Sequence, residues 1–343
     1  MRPNETLKEL QEKFVRLRIV DMSDVDVALF EFDFDLTFSL FVLNHEKHLY
    51  LRYGARDDRS AESYLSEKSL VRALEKGLTL HEDWKKGAAT FPRLPKPVPV
   101  KSYPRLREII EKGQCVHCHQ VADSQSQALI ALPEFNKKTD PWPYPNPKTL
   151  GLIIDPDKGN ALSGTEGPAA TVGLKSGDTV VGVDYRPVHT FADLQYALHK
   201  VSKNAKSVPI QVEGKENRSV QLPLREFWRV TDINRRSIGH RMTPFPGFWG
   251  KTLDAEHKKR LGLKPDGFAT EVTKFWTNTR GKKAGLQMGD VVYAINGTEM
   301  SPIALNVMIY IRTHFKQGDE IKVGYRHGSE ERETSFKLKE KPW

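Results

Sequence analysis

The chain has two cysteines, and both stand in one pentapeptide, Cys115-Val116-His117-Cys118-His119. Two thiols three residues apart on the first turn of a helix can each add to one vinyl group of the same porphyrin. The His after the second Cys then presents an imidazole to the iron. C-x-x-C-H is the attachment signature of c-type haem. The spacing therefore predicts one covalent haem c held by Cys115, Cys118 and His119.

Three other chemistries use the same residues. A thioredoxin-type redox pair normally follows a core strand, but the polar Glu111-Lys112-Gly113-Gln114 comes first here. A zinc or copper site could take both thiols. His117 and His119 are too close in sequence to complete the usual second ligand pair, so a distant His would be needed. A disulfide across two residues closes too short a loop to constrain much.

The iron's other face needs a ligand, water or nothing. His199, in Tyr196-Ala197-Leu198-His199, is one candidate, favoured by the family resemblance given below; His240 and Met242 are the alternatives, and His81 lies before the linker. Covalent haem attachment occurs outside the bacterial cytoplasm, so a periplasmic or otherwise extracytoplasmic location is expected. Met1-Arg2-Pro3-Asn4-Glu5 lacks an apolar h-region, so a removed leader is the matching expectation.

Composition narrows the class. Charged residues at 28% and hydrophobic residues at 38% describe a globular chain rather than a disordered one. The formal net charge of +9 is spread among acids, with no zinc finger, RNP motif or long Lys/Arg block. No nucleic-acid partner is expected. The most apolar stretch, Leu36 to Leu43, is broken by Thr37 and Ser39 and falls far short of a transmembrane span.

The elements that must position the motif follow from periodicity. Leu7, Leu10 and Phe14 give one helical face over 4–16, with Asn4 or Thr6 as cap. Val15 to Met22 alternates as a strand, Thr37 to Asn44 is a second, and His48 to Tyr53 returns antiparallel after the turn Asn44-His45-Glu46-Lys47. Leu70, Leu74 and Leu78 predict a helix over Ser66 to Leu80. The motif helix should run on from His119 to Leu132, stopped by Pro133, with Val121, Leu129, Ile130 and Leu132 facing a haem pocket or ordinary core.

The stretch from Phe14 to Trp84 resembles thioredoxin-like domains, especially in Leu36 to Asn44 and Tyr50 to Gly54. It departs from them in having no cysteine before residue 115 and Asp35-Leu36 where the usual proline stands. A thioredoxin shape without thioredoxin chemistry is what this resemblance implies. Residues 88–104 form a linker with Pro92, Pro95, Pro97, Pro99 and Pro104. In a second proline-rich run, Pro141 to Pro147, Trp142 and Tyr144 could cover the porphyrin or a domain edge.

The second half repeats itself. Gly173-Leu174-Lys175-Ser176-Gly177-Asp178 corresponds to Gly285-Leu286-Gln287-Met288-Gly289-Asp290, and each string leads into strand, turn, helix and two further strands. The helices are expected over Thr190 to Val201 and Pro302 to His314. Both copies resemble PDZ domains of the bacterial protease-associated type. Such domains bind extended peptides by adding a strand to a sheet edge. The resemblance carries peptide binding onto Trp249, Gly250, Lys251 and Thr252, which open the second copy.

No Gly-x-Ser-x-Gly or His-Glu-x-x-His string occurs, so no catalytic residue is assigned and an enzyme is not the main expectation. A small peroxidase, which needs an open iron position, stays as a third reading. The expected fold class is α+β multidomain. It comprises a thioredoxin-like domain without redox cysteines at 1–87, the linker at 88–104 and a helical haem segment at 105–148. A first PDZ domain at 149–225, a connector at 226–248 and a second PDZ domain at 249–343 complete it.

This order resembles planctomycete-type thioredoxin-like/PDZ multidomain proteins with a Cys-x-His-Cys-His-Gln string, matched here by Cys115 to Gln120. The same resemblance includes Leu-His at Leu198-His199. The expected function is an extracytoplasmic monohaem c-type cytochrome with PDZ modules, serving electron transfer or haem-based sensing. The alternative is a PDZ scaffold binding protein termini, with the Cys/His motif holding zinc, copper or a disulfide. Expected partners are a redox protein, peptide C-termini, or both, with a homo-oligomer open.

Overall fold

The computed structural model describes residues 5–57, 59–89, 91, 94–275 and 279–339; Asn4 of the first expected cap and Pro92 of the linker lie outside them. The chain divides into two compact units. One holds the residues up to Gln125 together with Pro143–Arg229, and the other holds Ser126–Trp142 with Val230–Trp343.

In the first unit, α1 (Glu5–Gln11) buries Leu7 and Leu10. The strand expected over Val15 to Met22 does not form. Val15 and Leu17 are 92% and 89% exposed. Among the described residues the sheet of this region has two strands, β1 (Leu40–Leu43) and β2 (Leu49–Tyr53), paired antiparallel. A period-2 pattern needs a partner edge to become a strand; among the described residues no strand pairs with this stretch, and only at its end does the Met22 N–H donate to the Val116 carbonyl. α2 (Glu67–Lys85) runs past the expected Leu80, and Ser66 and Ser69 close a reciprocal capping box at its start. Gly77 lets α2 press on β1, since a Cβ there would stand 2.8 Å from Val42 Cγ1. Of the thioredoxin-type order, the hairpin and the following helix form, and the leading strand is absent among the described residues.

Two further helices carry the motif, α3 (Pro104–Glu111) and α4 (Cys118–Ile130). Val116, Val121 and Ala122 join a core with Met22, Val27, Phe34, Val100 and Leu106. Leu132 is 45% exposed, so the expected apolar edge stops short of it.

The first repeat consists of β3 (Leu152–Ile154), β4 (Leu162–Thr165), α5 (Gly167–Thr171), β5 (Thr179–Val183), β6 (Arg186–Pro187), α6 (Phe191–Lys200), β7 (Ser207–Glu213) and β8 (Arg218–Pro223). β3 pairs β4, and a second sheet runs β6-β5-β7-β8.

The second unit holds α7 (Ser237–Arg241), β9 (Trp249–Thr252), α8 (Ala255–Arg260), β10 (Thr270–Lys274), α9 (Arg280–Lys283), β11 (Val291–Ile295), α10 (Val307–His314), β12 (Glu320–His327) and β13 (Glu330–Lys337). Its antiparallel sheet runs β13-β12-β11-β10-β9, with β9 at one edge. α10 starts at Val307 rather than Pro302 because Asn306 caps it, its Oδ1 accepting the Ile309 N–H at 3.0 Å.

The repeat has a shared local cause. Gly177 and Gly289 take φ of +90° and +87°, which an L side chain rarely adopts. Each following Asp folds back on the turn: Asp178 Oδ2 accepts the Lys175 N–H at 3.0 Å, and Asp290 Oδ2 accepts the Gln287 N–H at 2.7 Å. Leu174 and Leu286 are buried in their respective cores. Among the described residues no helix is long and apolar enough to cross a membrane.

Candidate functional site

The Cys/His motif is anchored through the residue between its reactive groups. Val116 is fully buried. Its N–H donates to Asp21 Oδ1 at 2.8 Å, and its carbonyl accepts the Met22 N–H at 2.8 Å. The Ser23 hydroxyl, followed by the Val116 N–H, holds the Asp21 carboxyl below its usual range. With Val116 pinned inward, Cys115 and His119 are exposed and Cys118 is half-buried. Both thiols are free.

α4 begins at Cys118, and Gln120 completes its first turn by accepting the His117 N–H on Oε1 at 2.7 Å. That is the N3 half of a capping box, and it gives the Gln of the motif a structural role. The His117 and His119 rings lie nearly parallel, 5.8 Å apart.

Burial pushes the Cys118 thiol up. Among the described residues no three His, Cys, Asp or Glu side chains converge as a metal-holding group. The donor set fits covalent haem: two free thiols around an anchored residue, and an exposed imidazole on the first helical turn.

The other candidate ligands lie on different elements. His199 lies in the last turn of α6, stacked on Tyr144 at 4.3 Å, with Nδ1 accepting the Tyr144 backbone N–H at 3.3 Å. In that arrangement Nδ1 is used and Nε2 carries the proton. His81 Nδ1 meets the Tyr50 hydroxyl at 3.0 Å. His240 and Met242 belong to the second unit, where His240 is exposed beside the Trp249 ring and Met242 is buried. Trp142 is buried and donates its indole N–H to the Lys138 carbonyl at 2.8 Å.

The two repeats differ in what lies against their long helix. In the first, the chain's own segment from Arg52 to Tyr64 covers α6. The Arg52 N–H donates to Asp193 Oδ1 at 3.0 Å, and Gln195 Nε2 donates to the Arg56 carbonyl at 3.1 Å. The Arg52 guanidinium sits 3.6 Å from the Tyr196 ring centroid. Ala55 and Tyr64 are buried in the repeat's own core, Tyr64 stacked on Phe191 at 3.4 Å. Burial drives the Asp193 carboxyl up to about 6, against the pull of Arg52 and its hydrogen bonds.

In the second unit β9 bonds β10 on one side, and its other edge has no strand beside it among the described residues. Gly250 is required for that pairing: a Cβ there would fall 2.3 Å from Thr270 Cγ2 and 2.6 Å from the Glu271 carbonyl oxygen. Trp249 is half-buried, while Lys251 and Thr252 are exposed. Before β9, the Phe245 N–H donates to the Lys339 carbonyl at 2.7 Å, and the Lys137 ammonium donates to the carbonyls of Thr243 and Phe315.

Behind Trp249 stands Arg312 of α10, its guanidinium 5.5 Å from the Trp249 ring. Burial lowers the Arg312 guanidinium to about 10. Sequence reasoning did not single out Arg312. Its signal is helical spacing, since Arg312 follows Met308 by four and so falls on the buried face of α10.

No family model matches the chain, and no curated protein matches it. Among solved structures, it is similar to a variant of the HtrA-type protease AlgW with decapeptide, at 17% identity over 39% of this chain and 41% of that one, TM-score 0.26. It is similar to the HtrA3 PDZ domain bound to a phage-derived ligand, at 18% identity over 29% of this chain and 87% of that one, TM-score 0.23. A third likeness is to an aminopeptidase N family protein from Idiomarina loihiensis, at 18% identity over 29% of this chain and 14% of that one, TM-score 0.21. The match to the first of these spans less than half of that protein's length.

Proposed function

We propose that this chain is a peptide-binding scaffold whose second unit takes up a protein terminus as an added strand on β9. The observation that carries this is the outer edge of β9, which has no strand beside it among the described residues and whose first residue, Trp249, has Arg312 of α10 against its ring. An added strand satisfies its backbone on such an edge, and side-chain contacts supply selectivity. The residues 149–225 and 249–343 are read as two PDZ-type bodies with unequal roles. The first has its helix covered by Arg52 to Tyr64 and serves as a structural clamp. The second is the binding body, with Trp249 and Gly250 setting the edge and Lys251 and Thr252 flanking it.

A direct test is selection of a random peptide library displayed with free C-termini on the full chain. Selected peptides, labelled with fluorescein, should bind in solution, and C-terminal amidation should weaken them. Selection of no peptide above background would reject the reading.

The motif supports a second activity in the same chain. Cys115 and Cys118 would hold one haem c and His119 its proximal side, and the exposure of Cys115 and His119 around the anchored Val116 favours this. When bound, the group supplies a one-electron couple for electron transfer or sensing. The chain's part is to fix the attachment turn through Val116, Asp21 and Gln120. This reading implies an extracytoplasmic location and a redox partner protein. Intact mass after expression with c-type maturation should exceed the polypeptide by one haem, and an unmodified mass would count against it.

A further inference from the structure

Among the described residues the second unit holds buried donors that lack an acceptor. Arg312 is 2% exposed. Among the described residues, neither its Nε nor its Nη1 has a hydrogen-bond partner, and the same is true of the Trp249 indole Nε1. Guanidinium and indole nitrogens only donate, so they cannot satisfy one another. The buried Arg229 of the first unit also has an Nε without a partner, but both its Nη groups donate, to the carbonyls of His199 and Val201. A buried cation left unpaired is costly, and an arriving anion removes that cost.

Location says which kind of anion. In a strand added to β9, backbone atoms lie in the plane of the sheet and side chains alternate to its two faces. A terminal carboxylate would therefore stay level with the β9 backbone. Arg312 comes from a helix, and its guanidinium lies beside the Trp249 ring in the side-chain layer. It meets a ligand side chain, not the ligand's backbone end. Trp249 opens β9 and is only partly buried, so the way in passes its indole.

We infer that Arg312 and the Trp249 indole N–H receive the side-chain carboxylate of an Asp or Glu at the C-terminal residue of a peptide added to β9. The ligand class is thus peptides with an acidic last residue. This inference rests on the binding role proposed for β9.

The test uses the full chain and fluorescein-labelled peptides of one selected sequence, ending in Glu or Gln, both with free C-termini. Wild type should bind the Glu peptide about ten- to a hundredfold more tightly, the range for a charge-assisted hydrogen bond. Arg312→Leu, checked for a wild-type melting profile, should bind the two peptides equally. Equal affinities in wild type would overturn this inference while leaving the binding edge standing, and that result needs no folded variant. A Glu preference that survives in folded Arg312→Leu would overturn the assignment to Arg312. Failure of both peptides, and of every library peptide, would remove the binding edge itself and this inference with it.

Discussion

Tyr64→Ala tests whether the first repeat is held shut by the chain's own N-terminal region. Tyr64 is 8% exposed and stacks on Phe191, the first residue of α6, with ring centroids 3.4 Å apart and planes within 9°. An aromatic side chain buries about 150 Å² or more, which at roughly 25 cal/mol per Å² is about 4 kcal/mol. A compact unfolded chain already buries part of that area, which brings the expected loss to about 3 kcal/mol. Equilibrium urea unfolding of the first unit reads this directly. Hydrogen exchange reads where it acts, and protection should fall in α6 and at Arg52 to Arg56, which hydrogen-bond to it. Leu17→Ala is the control, because Leu17 is 89% exposed and should move stability by less than about 0.5 kcal/mol. A Tyr64→Ala protein that loses under about 1 kcal/mol and keeps α6 protected would refute the clamp.

Further consequences are equally open to measurement. Gly250→Ala drives a Cβ into Thr270 and the Glu271 carbonyl, so the second unit should lose about 2 kcal/mol or more while the first keeps its melting transition; unchanged thermal stability would contradict the close approach of β9 to β10. Asp193 has a folded value raised to about 6 from 3.8, so its stability contribution is full below the lower value and is lost as pH rises through the upper. Wild type should therefore lose up to about 3 kcal/mol relative to Asp193→Asn between pH 4 and pH 7.5, and a pH-independent difference would show that Asp193 titrates normally. Gln120→Ala removes the acceptor for the His117 N–H and should cost about 1 kcal/mol and fray the first turn of α4, visible as faster amide exchange at His117.

Local features were legible in the sequence because local physics fixes them. The Gly-Asp turns of both repeats, the hairpin β1–β2, the helices α2 and α6, and the start of α4 at the Cys/His motif all follow from residues a few positions apart. The exposed thiols and imidazole of that motif are likewise set by one helical turn and one buried Val116. Partnership was not legible. The alternation of Val15 to Met22 reads as a strand, yet among the described residues no strand pairs with it, and hydrogen-bond partners for a strand can lie far along the chain. The same limit hid the covering of α6 by Arg52 to Tyr64, where residues 141 positions apart share one hydrogen bond. It also hid Arg312 beneath Trp249, since helical period places an arginine on a buried face but does not say what acceptor it lacks. Two copies of one sequence pattern therefore became a covered helix and, among the described residues, an edge with no strand beside it, because occupancy depends on what the rest of the chain brings alongside.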